Sequence, residues 1–201
     1  MKKTIILLAA LTIGSAGHAQ FQVNPQLGLT YQNLTDPDLG YEYKGAIGWQ
    51  VGADFRIGDR LFFQPGVFFG RNTTAIRFSG MDSTIIEDNL IRTNLKLRAM
   101  AGYRIVDSYQ FDLRFMVGPS YDVLLSVDDK DGDITWNKGD FNAGSFNIDA
   151  GLGFDMGLFT LEPGVSFGLS RVFSDNPEVQ DISSKYLTYG LTIGVNFGDD
   201  D

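Results

Sequence analysis

From about residue 21 the chain alternates apolar and polar positions with a period of two, the mark of strands that bury one face. The alternation predicts eight strands, at about residues 22–31, 45–57, 61–71, 89–105, 109–125, 144–156, 158–172 and 185–197. The second is typical: Ile47, Trp49, Val51, Ala53, Phe55 and Ile57 alternate with Gly48, Gln50, Gly52, Asp54 and Arg56. The fourth sets Leu95, Leu97, Ala99, Ala101 and Tyr103 against Asn94, Lys96, Arg98, Gly102 and Arg104.

The connections alternate in length. Short turns are expected at Gly58-Asp59-Arg60, at Val106-Asp107-Ser108 and around Gly157. Long loops are expected over residues 32–44, 72–88, 126–140 and 173–184. Short turns at one end and long loops at the other characterise outer-membrane barrels. An even strand count then puts both chain ends on the short-turn, periplasmic side. Odd strands each carry a proline near their start, Pro25, Pro65, Pro119 and Pro163. A closed barrel has no free edge to hide a missing N–H, so these are expected at bulges or irregular sites toward the periplasmic rim. The segments 63–70 and 161–168 resemble one another, which fits either hairpin duplication or shared turn chemistry.

Which face points outward decides the fold. Glycines crowd the polar parity: Gly28, Gly52, Gly66, Gly102, Gly118, Gly151, Gly153, Gly164, Gly190 and Gly194 among them. A narrow barrel needs small residues inside. Aromatics collect near strand ends on the apolar parity (Tyr31, Trp49, Phe63, Tyr103, Tyr109, Tyr121, Tyr189, Phe197), as interfacial girdles do. The predicted fold is all-β: an eight-stranded antiparallel up-and-down transmembrane β-barrel. A soluble lipocalin-like carrier would have the opposite orientation.

The N-terminus carries a separate signal. Lys2 and Lys3 precede a ten-residue apolar run from Thr4 to Ile13, and Gly17-His18-Ala19 supplies small residues for cleavage before Gln20. Residues 1–19 read as a secretory signal peptide and residues 20–201 as the barrel domain, placed in the outer membrane of a Gram-negative cell. The chain has no cysteine, and its one histidine, His18, lies in that leader. Ser-His-Asp and Cys-His catalysis are excluded from the mature chain, as are zinc sites built on imidazole or thiolate. No enzyme and no cofactor are expected. The formal charge is −9, and removing Lys2 and Lys3 makes it more negative by two. Such a chain has no basic stripe for nucleic acid.

Two places carry candidate chemistry. The inward parity holds charge of both signs, and the lumen ion-pair candidates are Asp54, Lys96, Arg98, Arg104, Asp112, Arg114, Asp149 and Glu162. Arg56, Arg92, Asp122 and Asp155 share that parity. The basic wall of strands four and five is expected to face the acidic wall of strands six and seven. The turn between strands four and five sets Asp112 opposite Gly102 and diagonal to Arg104. Charges in so narrow a space are either paired or wet, which leaves a static plug or a gated conduit. In the loops, Asp129, Asp131 and Asp133 have the two-residue spacing of calcium ligands, although a solvated acidic loop has the same composition. Trp136 in that loop could cap the aromatic girdle.

Gln64-Pro65-Gly66-Val67, Glu162-Pro163-Gly164-Val165 and the closing segment Tyr189 to Phe197 resemble the small outer-membrane β-barrel family, labelled porin-family or PorT-like. The last strand is similar to the assembly signal read by the barrel-insertion machinery, but departs from it in the trailing Gly198-Asp199-Asp200-Asp201. The resemblance implies outer-membrane lipid and the assembly machinery as partners. The expected protein is a monomeric barrel with a structural or interaction role; the alternatives are a narrow channel and an accessory barrel for secretion or envelope assembly.

Overall fold

A computed structural model describes residues 20–35, 41–79, 85–108, 110–129, 138–171 and 185–198. The leader, Asp131, Asp133, Tyr109 and Trp136 lie outside the described residues. The strands are β1 (Phe21–Thr35), β2 (Tyr41–Gly58), β3 (Leu61–Ser79), β4 (Ile85–Val106), β5 (Asp112–Asp129), β6 (Gly144–Met156), β7 (Phe159–Gly168) and β8 (Lys185–Val195). A two-residue piece, β9 (Phe197–Gly198), continues β8 past Asn196. Each strand is antiparallel to its chain neighbours, and β1 pairs with both β2 and β8, so the sheet closes into an eight-stranded barrel.

The alternation decides inside and outside. Leu27, Leu29, Ile47, Leu61, Phe63, Phe146, Phe159 and Ile193 face outward and are exposed, while Gln22, Asn24, Gln26, Asp54, Arg56 and Gln64 of the other parity are buried. This is the reverse of a soluble carrier and suits a lipid surround. In β1 the outward apolar face runs from Phe21 to Tyr31, about the 9–11 residues that a tilted strand needs to span the hydrocarbon core.

The strands differ from the expected bounds chiefly at the long-loop end. β3 and β4 stay paired to Ser79↔Ile85, so most of the expected loop 72–88 is strand. β2 pairs with β3 up to Tyr41↔Phe78, and β5 pairs with β4 up to Leu90↔Asp129. A wall of four strands, β2 to β5, therefore rises above the apolar band on one side, while β6 to β8 stop near its edge. The alternation does not predict this wall, because the apolar–polar pattern lapses over Arg71, Asn72, Thr73 and Thr74 while the pairing continues.

The short-turn end holds a second correction. The turn between β4 and β5 is longer than three residues, and a bulge falls between Arg104 and Val106. Gly102 consequently faces Met116, Arg104 faces Arg114, and Asp112 pairs with Asp155 on β6 instead of standing opposite Gly102. At the other turns, Gly58 (φ 119°) and Gly157 (φ 59°) take the left-handed backbone that tight hairpins require.

The prolines take the second of the two expected placements: each sits at an irregular site, a gap in one ladder, and none at a bulge. Each keeps its pairing with the following strand: Pro25↔Ala53, Pro65↔Ala99, Pro119↔Ile148 and Pro163↔Leu191. Toward the preceding strand the ladder skips, and it resumes in the same register. It passes from Gln26↔Gly194 to Val23↔Phe197, from Asp54↔Gly66 to Ile57↔Phe63, from Arg98↔Ser120 to Ala101↔Val117, and from Gly151↔Gly164 to Phe154↔Leu161. One missing N–H removes the rungs that depend on it and leaves the strand path unchanged. The break between β8 and β9 is the Pro25 gap seen from the other side.

Candidate functional site in the barrel lumen

The inward residues form three levels. At the short-turn end, Arg114 grips Asp155 with two hydrogen bonds, Nε to Oδ2 at 2.7 Å and Nη2 to Oδ1 at 2.8 Å. Arg56 reaches the same carboxylate at 3.1 Å, and Thr160 donates to it. The Phe62 ring lies 5.5 Å from the Arg56 guanidinium carbon and 5.7 Å from that of Arg114. It packs with Met100 and Met116 in a small apolar cluster inside the barrel.

In the middle, Arg98 bridges two acids. Its Nε donates to Asp54 Oδ1 at 2.8 Å, and its Nη2 donates to Asp54 and, at 2.7 Å, to Glu162 Oε1. Gln26 donates to Asp54 at 2.8 Å, and the guanidinium lies over the Phe68 ring. Gln64 ties the two levels together. Its Oε1 accepts from Arg114 at 3.1 Å and from Arg56, and its Nε2 donates to Asp54 at 3.1 Å and to Glu162 at 3.5 Å.

Above them Lys96 bonds Asp149 at 3.1 Å and Ser166 at 3.1 Å. Asp149 also accepts from Ser120 at 2.9 Å and Ser166 at 2.5 Å. Below the plug, Arg104 lies 3.5 Å from Asp59, 3.9 Å from Asp107 and 4.0 Å from Asp112.

All eight lumen candidates thus lie on the inward side, and the structure brings Asp54, Arg98 and Glu162 together, Lys96 with Asp149, and Arg104 with Asp112. Arg114 bonds Asp155, which was not singled out among the eight. Counted along the lumen, Arg56, Arg92, Lys96, Arg98, Arg104 and Arg114 match Asp54, Asp112, Asp122, Asp149, Asp155 and Glu162 one for one. A narrow interior tolerates ions only when they are compensated, and among the described residues all of this set but Arg92 and Asp122 lie within ion-pair distance of an opposite charge. The chain's acidic excess therefore sits outside the lumen. The sequence reading missed the uncharged plug residues Phe62, Gln64, Phe68, Met100 and Met116. Their signal was present, because they lie on the glycine parity.

The interior glycines are of two kinds. An added Cβ at Gly66 would fall on the Asp54 carboxylate, at Gly102 on the Phe62 ring, and at Gly153 within 2.5 Å of the Arg114 guanidinium. At Gly190 it would meet only the Leu29 carbonyl, at 4.0 Å. Of the loop acids, Asp129 ends β5; among the described residues no cluster of acidic groups could hold a metal ion.

A closed barrel with lipid-facing apolar strands and a charge-neutral, side-chain-filled lumen is a bilayer-spanning protein of the outer-membrane type. The chain matches the family described as outer membrane protein beta-barrel domain over residues 15–174, and it belongs to that family. It is therefore an outer-membrane protein. Its fold is similar to that of the outer membrane protein OprG from Pseudomonas aeruginosa, at 12% identity over 90% of this chain and 97% of that one, with a TM-score of 0.56. It is also similar to Neisserial surface protein A, at 14% identity over 90% of this chain and 99% of that one, with a TM-score of 0.51. Comparison with curated proteins finds no match.

Proposed function

We propose that this protein is a non-conducting, monomeric barrel whose work is done at its outer rim, as a structural element or an interaction surface of the outer membrane. One observation carries the reading: the lower and middle lumen is closed by the Arg56, Arg98 and Arg114 network laid over Phe62, Met100 and Met116, with Met116 and Arg114 fully buried. An ion crossing here would have to break several charge-assisted hydrogen bonds in a space filled by side chains. The tall β2–β5 wall and the acidic residues beyond the apolar band are what remain to meet other molecules.

The test is conductance. The refolded full chain in planar bilayers is expected to show no discrete channels across a range of voltages. Reproducible unitary steps from the wild-type protein would defeat the reading in favour of a narrow channel.

A further inference from the structure

We propose that the acidic tail Asp199–Asp201 folds back across the short-turn mouth of the barrel and seats a carboxylate in the guanidinium fork of Arg104. The tail lies outside the described residues, and it is what sets the closing strand apart from the assembly signal that strand resembles.

The receiving site is an unfilled bonding position. Arg104 is only 3% exposed, yet its Nε and Nη2 are both buried without a hydrogen-bond partner among the described residues. Those two atoms are the side-on fork of a guanidinium, which fits the two oxygens of one carboxylate. Arg114, facing Arg104 across the β4–β5 ladder, shows the filled form, with its Nε and Nη2 on the two oxygens of Asp155. Arg56 has a spare donor at the same end, its buried Nη2. Buried donors are normally satisfied, and leaving one without an acceptor is costly. The lumen charges already balance, so it is the shape of the empty fork and not net charge that selects a carboxylate.

The acids nearest Arg104 do not fill that fork. Asp59 and Asp107 stand 3.5 and 3.9 Å from Nη1, the third nitrogen, and both are exposed in the turns. Asp112 stops 4.0 Å from Nε, beyond hydrogen-bond reach, and its Oδ1 accepts from the Ser108 N–H at 3.0 Å. Asp155 is taken up by Arg114, Arg56 and Thr160.

The place where the chain leaves the barrel brings the tail to this site. Gly198 pairs with Gln22, the inward residue whose Oε1 accepts from Arg56 Nη1 at 2.6 Å. Gly198 has a φ of 147°, and a Cβ there would lie 2.2 Å from the Phe21 carbonyl oxygen, so only glycine fits. Arg104 sits at the level of the short turns, where its N–H donates to the Arg60 carbonyl at 2.8 Å. In the ring of eight, β4 stands across from β8. Three extended residues cover about 10 Å, and the inward Arg104 side chain meets them part-way. Arg56, on β2 between the two, offers its spare donor along that path. The seated tail would tie the end of β9, which two rungs hold to β1 beyond the Pro25 gap, to the opposite wall.

Solution NMR of the full chain in detergent micelles, read at the Arg104 Nε–H signal, tests this. The wild-type proton is expected to exchange slowly with water. The combined variant Asp199→Asn, Asp200→Asn and Asp201→Asn should exchange about tenfold faster or more, the loss of a charge-assisted hydrogen bond, while keeping heat-modifiable gel migration. Sodium acetate, compared with sodium chloride at matched ionic strength, should then give a saturating shift in that variant and none in the wild type. Fast exchange in the wild type, or equal exchange in the two chains, overturns the proposal. An equal acetate shift in both chains does so too, because the fork is then open to anions from solution. If Asp112→Asn frees the Nε–H and the tail variant does not, Asp112 fills the fork and the tail has no part in it. Should the combined variant fail to refold, the three single Asp→Asn variants decide, and none of them raising the exchange rate counts against the site. The readout is the same whether or not the lumen conducts, so it stands or falls separately from the bilayer experiment.

Discussion

A guanidinium has five N–H donors to place, and inside a barrel that spans lipid every one left unplaced is costly. Arg98 shows how the problem is met. The residue itself is legible in the sequence, because its parity marks it as inward. Its acceptors are not, since Asp54 and Glu162 lie on β2 and β7 and meet it only once the sheet has closed. The parity of Asp155 is equally legible, but its two hydrogen bonds from Arg114 depend on the register of β5 against β6. The glycines give the sharpest test at this scale. Gly66→Ala should push the Asp54 carboxylate off Arg98 and cost about 1–3 kcal/mol, the usual penalty for overpacking a filled interior. Gly190→Ala faces open space and should be neutral or stabilising by up to about 1 kcal/mol, since it only stiffens the unfolded chain. Urea unfolding in micelles separates the two; similar midpoints would mean that the lumen is less tightly filled than described.

At the scale of elements, lipid wrote the pattern that could be read, and water erased it. Inside the membrane each strand has one face in hydrocarbon, so all eight strands are visible as alternation. Above it, Arg71, Asn72, Thr73 and Thr74 form a polar run without alternation, yet β3 continues because β4 still supplies hydrogen bonds. The added length of β3 and β4 is thus carried by continuous pairing. It follows that the wall can be shortened without harm to the barrel. Replacing residues 75–89 by an Asn-Gly turn between Thr74 and Leu90, which face each other, should leave heat-modifiable gel migration intact. Loss of that migration would show that the wall helps to hold the barrel closed.

Across the whole molecule the irregularities are not scattered. The hairpins joined at the long-loop end, β1–β2, β3–β4, β5–β6 and β7–β8, have unbroken ladders. Every proline gap and every bulge falls on the remaining contacts, β2–β3, β4–β5, β6–β7 and β8–β1. The barrel is four regular staves joined along four imperfect seams. Seen as a ring, the seam where the chain happens to start and finish carries the same proline gap as the other three. The polypeptide's order along the ring should then be negotiable. A circular permutant that begins at β3, ends at β2 and joins the old termini by a short linker would close on the β2–β3 seam, with the same interruption at Pro65 that the natural chain meets at Pro25. It should refold to the heat-modifiable form, and failure to do so would mean that the β8–β1 seam is special after all.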